Sequence, residues 1–207
     1  METKKALTYL EKEIHSVVVA TVDDNGLPIT CAIDIMDSDE DGLYFLTAKG
    51  KSFYERLKKR GYISLTGMNG KDTLSCVAVS VRGRVRETDS ARLERLILKN
   101  PYMKEIYPTE ASRQALVVFQ LYEGNGEWFD LSKKPIERSS FTIESYKEKE
   151  QGYEIANECI GCRTCEAVCP QGCIDFNTTP AVILQENCLR CGNCFEACPQ
   201  KAVVKRG

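Results

Sequence analysis

Cysteine spacing is the feature that most limits how this chain can fold. Of its 11 cysteines, nine lie between Cys159 and Cys198, and only Cys31 and Cys76 precede them. Eight of the nine form two runs of the form C-x2-C-x2-C-x3-C-P, and the second run repeats the first at a shift of 29 residues. A repeat of this size indicates two copies of one supersecondary unit that bury their cores against each other. The last quarter of the chain is therefore predicted to be a separate module.

Each run has the spacing of bacterial iron–sulfur ligands, in which the fourth cysteine of one run binds the cluster of the other run. This rule predicts two [4Fe–4S] clusters. The first is assigned to Cys159, Cys162, Cys165 and Cys198, and the second to Cys188, Cys191, Cys194 and Cys169. A pair of structural zinc sites is the alternative, but such sites usually combine two C-x2-C pairs.

The ninth cysteine of the module is Cys173, which falls on Ala202 when the chain is shifted by 29 residues. The repeat therefore favours a small buried apolar side chain at this position over a redox ligand. Residues 153–206, with both cysteine runs, resemble the two-cluster bacterial-type ferredoxin domain, which is a small α+β domain.

The composition of the whole chain is that of a soluble globular protein. It has 207 residues, 43% of them apolar, with 28 Lys and Arg against 30 Asp and Glu. A net charge of −2 supplies no general attraction to nucleic acid. The longest apolar run is only 115–119, and the charged segment 1–13 has no signal-peptide pattern, so neither a membrane span nor secretion is expected. A cytoplasmic location follows, with thiols kept for metals rather than disulfides.

The chain before residue 144 shows short strands, two or three helices and frequent turn signals, which together predict an antiparallel barrel. Strands are expected over 17–22, 29–36, 43–47, 62–68, 74–86, 115–122 and 127–131, and helices over 52–60 and 89–100. Ser52 is the expected cap of the first of these helices. The last two strands are expected to flank a turn at 124–126, where the sequence is Gly-Asn-Gly.

A phosphate site is indicated after the strand at 43–47. The chain has neither a P-loop nor a G-x-G-x-x-G motif. Instead, two cations and two hydroxyls surround the start of a helix, and helix N-termini attract anions. These residues are Thr47, Lys49, Lys51 and Ser52. A Lys-rich turn is often merely solvated, so this signal alone leaves both interpretations open.

The order of elements adds a resemblance to a known family. An N-terminal helix, the turn between 20–23 and 26–28, the segment 44–52 and the strand 81–85 together resemble the pyridoxamine 5′-phosphate oxidase-related FMN-binding split barrel over residues 1–140. This resemblance implies a mainly β fold with helices and a homodimer with FMN at the subunit interface. It places the flavin phosphate and ribityl region at Thr47 and Lys51, with Lys49 and Ser52 nearby. The backbone of Cys31, Ala32 and Ile33 would border the isoalloxazine ring.

One departure from that family concerns histidine. Its oxidases carry an Arg-x-His substrate motif near the last strands, whereas the single histidine of this chain is His15. Vitamin B6 oxidation is therefore not expected, and haem is disfavoured because a proximal ligand has only one candidate. A structural role is expected for His15 and a core position for Cys31 and Cys76, with a position near the flavin as the alternative for Cys31. Trp128 and Tyr122 could belong to the core or pack on the flavin.

The predicted organisation is a flavin-binding barrel at 1–143, a linker at 144–152 and a ferredoxin domain at 153–207. The expected function is a flavin and iron–sulfur oxidoreductase that passes electrons between two clusters and FMN, with a small-molecule substrate and a redox partner protein or small-molecule donor. A non-enzymatic electron carrier and a redox sensor are the alternatives. No catalytic side chain is assigned.

Overall fold

A computed structural model describes residues 2–144, 146 and 151–206. The chain divides into two compact units that each combine several segments. The barrel unit consists of Met1–Gly70, Ala78–Trp128 and Ser140–Tyr146, and the cysteine unit consists of Lys71–Val77, Phe129–Ser139 and Lys147–Gly207. Residues 145 and 147–150 of the predicted linker lie outside the described residues, so the division at 144–152 stays a prediction.

The barrel is built from six strands of a seven-stranded sheet. The strands are β1 (Ser16–Val22), β2 (Pro28–Asp39), β3 (Gly42–Ala48), β4 (Tyr62–Asn69), β5 (Val77–Glu87), β6 (Leu116–Asp130) and β7 (Glu137–Ile143). They pair in the order β3-β2-β1-β4-β5-β6-β7, and β3 also pairs with β6. That last pairing closes the first six strands and leaves β7 at the edge, which confirms the predicted barrel.

Alternation of apolar and polar residues decides which face of each strand turns inward. In β1, Val17 and Val19 are buried whereas Val18 between them is 55% exposed, as the two-residue period of a strand requires. Across the barrel, Phe45 of β3 pairs in register with Phe119 of β6, and their rings stack at 5.9 Å between centroids. Large apolar side chains therefore fill the centre of the barrel.

Strand β6 corrects one prediction. Gly124, Asn125 and Gly126 form no turn but lie inside one continuous strand of 15 residues. A Cβ on Gly124 would lie 2.2 Å from the carbonyl oxygen of Arg82, and a Cβ on Gly83 would lie 2.2 Å from the carbonyl oxygen of Glu123. The glycines are thus needed because two neighbouring strands approach closely. The sequence pattern does not distinguish a glycine of this kind from a glycine in a turn.

The described part of the barrel unit also contains five α-helices, which are α1 (Thr3–Tyr9), α2 (Ser52–Arg60), α3 (Ala91–Lys99), α4 (Met103–Ile106) and α5 (Glu110–Arg113). A π-helical turn at Leu10–Ile14 continues α1 and ends at His15. The expected cap of α2 is wrong by one residue, because Lys51 is the N-cap, and no side chain makes a capping hydrogen bond there. Strand β5 begins at Val77 rather than at 74, since Thr73–Ser75 forms a 3-10 turn.

The cysteine unit is small and mixed, as the predicted α+β ferredoxin domain requires. Its elements are β8 (Gly152–Ile155), α6 (Thr164–Ala167), β9 (Ile174–Asp175), β10 (Val182–Ile183), α7 (Asn193–Ala197) and β11 (Val203–Arg206). Strand β8 pairs with β11, and β9 pairs with β10. The sequence repeat is thus matched by a repeat of short helix and strand.

The backbone follows the same repeat. Three positions in each half have positive φ, and each falls on its counterpart at a shift of 29 residues. The pairs are Gly161 with Arg190, Arg163 with Gly192, and Gly172 with Lys201. Since one member of each pair is not glycine, the conformation is imposed by the cysteine loops rather than permitted by residue type.

Segment 129–139 belongs to the cysteine unit through direct hydrogen bonds. The Ile136 N–H donates to Gln171 Oε1 at 2.9 Å, and Asn187 Nδ2 donates to the Ile136 carbonyl at 3.1 Å. Arg138 donates to the carbonyl of Leu189 at 3.3 Å. These contacts place the segment beside the second cysteine run within that unit.

Candidate cofactor sites

A cavity of about 350 Å³ lies in the barrel unit between strands β2 and β3, the start of α2 and the segment around α4. Five of the seven predicted flavin contacts line it, namely Cys31, Ala32, Ile33, Thr47 and Lys51. Lys49 and Ser52 are not among its lining residues. The volume lies within the range of small-molecule sites, so the cavity is the candidate flavin site.

The turn after β3 explains which residues reach the cavity. The Lys49 N–H donates to the Ala115 carbonyl at 2.9 Å, and the Lys51 N–H donates to the Ala48 carbonyl at 3.0 Å. This turn brings Lys51 to the cavity as the N-cap of α2, whereas Lys49 does not line it; both lysines are exposed. Ser52 lines a different groove, formed by α2 and the loop after β1.

The cavity contains polar groups that lack partners. Thr47 is 4% exposed, and its Oγ1 forms no hydrogen bond with any other described residue. Lys51 forms no ion pair within the described part of the chain, and no side chain caps α2. A buried hydroxyl without a partner is costly, and a cation beside an uncapped helix N-terminus favours an anion. The residues present therefore fit the phosphate and ribityl end of FMN.

The sequence does not predict a second set of polar residues at the same cavity. Asp34 and Tyr102 line the cavity, and Tyr102 Oη donates to Asp34 Oδ2 at 2.7 Å. His15 Nε2 lies 3.1 Å from Tyr102 Oη and 3.6 Å from Asp34 Oδ2. Ser16 Oγ donates to Asp34 Oδ1 at 2.6 Å. We call Asp34, Tyr102 and His15 the polar triad.

Two members of the polar triad have shifted pKa values. Burial alone would raise the pKa of Asp34, but hydrogen bonds from Ser16 and Tyr102 and the charge of His15 outweigh burial and lower it. Burial and the hydrogen bond to Asp34 raise the pKa of Tyr102. Near neutral pH the triad therefore pairs an ionised carboxylate with a neutral phenol.

The structure also shows where Cys31, Trp128, Tyr122 and Cys76 lie. Burial raises the pKa of the Cys31 thiol at the cavity, and Arg56 and Lys51 oppose this only in part. Trp128 is 5% exposed and packs edge to face against Tyr9 at 4.8 Å, so it is a core residue. Tyr122 lies beneath Arg86, 4.5 Å from the ring centroid, and lines a separate groove. Cys76 is buried.

The cysteine unit holds two pockets that match the two predicted ligand sets. One pocket is lined by Cys159, Cys162, Cys165 and Cys198. The other is lined by Cys169, Cys188, Cys191 and Cys194, together with Cys173. The fold thus brings the fourth cysteine of each run to the other run. Among the described residues no three His, Cys, Asp or Glu side chains converge on the position of a single ion; the thiols surround two pockets instead.

Backbone amides point at several of these sulfurs. The Arg190 N–H donates to Cys188 Sγ and the Ala202 N–H donates to Cys198 Sγ, both at 3.3 Å. Cys173 occupies the position equivalent to Ala202, and hydrogen bonding from its own backbone amide helps to lower the pKa of Cys169 against the effect of burial. Such amide bonds tune the electronics of cluster ligands, so the donor set fits an iron–sulfur cluster in each pocket.

Comparison with known proteins supports both parts of the chain. The sequence profile of the pyridoxamine 5′-phosphate oxidase family matches residues 3–124, and that of the 4Fe-4S dicluster domain matches residues 158–202. No curated protein sequence matches the chain.

Solved structures show the fold of the barrel. A NimC/NimA family protein from Clostridium acetobutylicum aligns with a TM-score of 0.55 at 20% identity, covering 68% of this chain and 92% of its own. A protein related to general stress protein 26, of the pyridoxinephosphate oxidase family and from the same organism, aligns with a TM-score of 0.53 at 21% identity, covering 68% and 96%. At these identities the likeness concerns the fold alone.

Helices of the described residues are all too short or too polar to cross a bilayer. The barrel, the cavity beside Thr47 and Lys51, and the paired cysteine pockets agree with the two profile matches. The chain belongs to the pyridoxamine 5′-phosphate oxidase family and joins that family's split barrel to a 4Fe-4S dicluster region.

Proposed function

We propose that this protein is a flavin and iron–sulfur oxidoreductase. It passes electrons between two [4Fe–4S] clusters and FMN, and between FMN and a small molecule. The single observation that supports this most is the pair of pockets that each bring together three cysteines of one run and the fourth cysteine of the other. The partnerless Thr47 hydroxyl beside Lys51 supports FMN as the second cofactor.

Joining these cofactors has a chemical reason, because a flavin can take up electrons singly and release them as a pair. The residues of this chain would hold and position the groups. Lys51, Thr47 and the start of α2 bind phosphate, the strand Cys31–Ile33 borders the ring, and eight cysteine thiolates hold the clusters.

We also propose a homodimer with the flavin site at its interface. Ala32 lines the cavity and is exposed, and its partner across the sheet is Val18, which is 55% exposed. Met68 on β4 adds a further apolar side chain that is 64% exposed. An apolar outer face that continues into the cavity fits a second copy of this chain, since contiguous exposed apolar surface marks interaction sites.

Cofactor content is the first test. Protein purified without oxygen should contain about 8 Fe and about 8 acid-labile sulfide per chain, as two four-cysteine ligand sets require. Its extract should contain FMN by mass. Zinc without sulfide, or the lack of any flavin, would contradict the proposal.

Electron flow is tested with two variants in the same pocket. Cys194→Ser removes a proposed ligand, whereas Cys173→Ser changes a buried cysteine that the repeat equates with Ala202. Dithionite, mixed anaerobically with the full chain, should reduce the flavin much more slowly in Cys194→Ser than in wild type, because one cluster is lost. Cys173→Ser should keep both clusters and the wild-type rate. Equal rates in all three proteins would mean that the clusters do not feed the flavin.

A further inference from the structure

The polar triad of the barrel cavity has a geometry that the proposed electron flow leaves without a role. Tyr102 Oη touches two residues that line the cavity, Asp34 at 2.7 Å and Met36 Sδ at 3.2 Å. His15 Nε2 lies 3.1 Å from the same hydroxyl, but His15 is not one of the lining residues. The phenol therefore joins the cavity wall to an imidazole outside it.

His15 is held in place from several directions. Its φ of 61° is unusual for a residue other than glycine, and such strain persists only where the surroundings impose it. Its N–H donates to the Leu10 carbonyl and its carbonyl accepts from the Ile35 N–H, both at 2.8 Å. Its ring meets the Tyr102 ring edge to face at 5.8 Å between centroids. About a third of the His15 side chain is exposed, so the ring can exchange protons with water.

Both imidazole nitrogens face hydrogen-bond acceptors. Nδ1 lies 3.4 Å from the Glu11 carbonyl, and Nε2 lies 3.1 Å from Tyr102 Oη. The Asp34 carboxylate lies 3.6 Å from Nε2. With a proton on Nε2, the hydrogen bonds run from His15 Nε2–H to Tyr102 Oη–H and on to Asp34.

A proton supply is needed at this cavity for a chemical reason. Electrons delivered by iron–sulfur clusters arrive without protons, whereas reduction of a flavin adds a proton to its ring. We propose that Tyr102, supplied by His15 and oriented by Asp34, is the path by which protons enter and leave the barrel cavity as its flavin changes redox state. This inference rests on the proposed function.

Flavin reduction by this path takes up two electrons and one proton. Two electrons come from two reduced clusters, which are oxidised by one electron each. The Tyr102 hydroxyl would give its proton to the flavin ring in place of its hydrogen bond to Asp34, and Tyr102 Oη would take the Nε2 proton of His15. His15 would then regain a proton from water, so that two electrons and one proton reach the flavin in all. The raised pKa of Tyr102 disfavours a free phenolate, so replacement of its proton by His15 must accompany the transfer.

The main experiment uses the anaerobic full chain with its bound cofactors and an excess of dithionite, so that cluster reduction is complete before the flavin is followed. In Tyr102→Phe, which keeps the ring, flavin reduction should slow by about 100-fold, at the lower end of what a positioned acid contributes. The wild type should react more slowly in D2O than in H2O, and the variant should lose that difference. Tyr122→Phe, which removes a tyrosine hydroxyl in a separate groove outside the cavity, should behave as wild type.

A second readout needs no turnover. Because His15 is the only histidine, protein labelled with 15N-histidine gives one pair of imidazole signals. In wild type the Nε2 signal should show the shift of a nitrogen that is hydrogen-bonded to Tyr102, and in Tyr102→Phe that shift should be lost. Wild-type flavin reduction with an unchanged isotope effect in Tyr102→Phe, or the same Nε2 signal in both proteins, would overturn the inference. A protein without FMN would instead overturn the proposed function.

Discussion

At the scale of single residues, Thr47 is the clearest indication of a ligand-binding site in the barrel cavity. Replacing it with valine exchanges a buried hydroxyl without a described partner for a methyl group of similar size. We expect flavin-free protein to become more stable by about 1 kcal/mol, because an unpaired buried hydroxyl costs about 1–3 kcal/mol. FMN affinity should fall about fivefold to tenfold, because one hydrogen bond is lost.

Denaturation of the flavin-free protein and quenching of FMN fluorescence measure these two effects. Thr66→Val is the matched control, since Thr66 is exposed on β4 and its hydroxyl already pairs with Ser80 at 2.9 Å. If Thr47→Val binds FMN as tightly as wild type, the Thr47 hydroxyl does not contact the ligand.

Residues of the candidate sites differ in how far the sequence predicts them. The eight cysteines follow from spacing, because three ligands of each set lie within seven residues of the chain. Thr47 and Lys51 follow from a local turn and a family resemblance. The polar triad does not, because Tyr102 lies 68 residues from Asp34 and 87 from His15, and no local pattern joins them. The sequence favours a structural role for His15 because it shows nothing of what surrounds the ring.

At the scale of elements, strand β6 shows how one sequence signal can have two causes. Glycine and asparagine together usually mark a turn, yet here Gly124 lies against Gly83 of β5, with each position leaving no room for a Cβ. The alternation of buried and exposed residues predicted most strands within a few residues of their ends. Close contact between two backbones depends on both partners, so it could not be read from either segment alone.

Gly124→Ala tests this explanation of β6. The added Cβ would lie 2.2 Å from the Arg82 carbonyl and 2.8 Å from the Gly83 Cα, so two strands must move apart. We expect the free energy of unfolding to fall by about 1–3 kcal/mol or more, as for other overpacked sites. Gly50→Ala is the control, because a Cβ there meets nothing within 4 Å. Equal chemical denaturation curves for the two variants would contradict the close approach.

At the scale of the whole molecule, the two units differ in what stabilises them. Half of the eight buried residues in the core of the cysteine unit are cysteines, namely Cys165, Cys173, Cys188 and Cys194. Three of these four are proposed cluster ligands, so little apolar packing remains when the clusters are lost. The barrel unit has large buried side chains such as Phe45 and Phe119 and contains no proposed iron ligand.

Removing the iron should therefore unfold one unit and spare the other. Structural metal sites supply folding free energy directly, so we expect chelation under ferricyanide to expose residues 151–206 to protease. Cleavage should also appear within 129–139, because the bonds of Ile136 to Gln171 and Asn187 are lost with the cysteine loops. Strands β1 to β4 should stay resistant and FMN should stay bound, since Thr47 and Lys51 belong to the barrel unit.

Mass spectrometry of the protease fragments shows which segments are cleaved, and the retained flavin absorbance shows whether FMN stays bound. Release of FMN in step with iron, or early cleavage between residues 16 and 69, would show that the barrel depends on the clusters for its own stability.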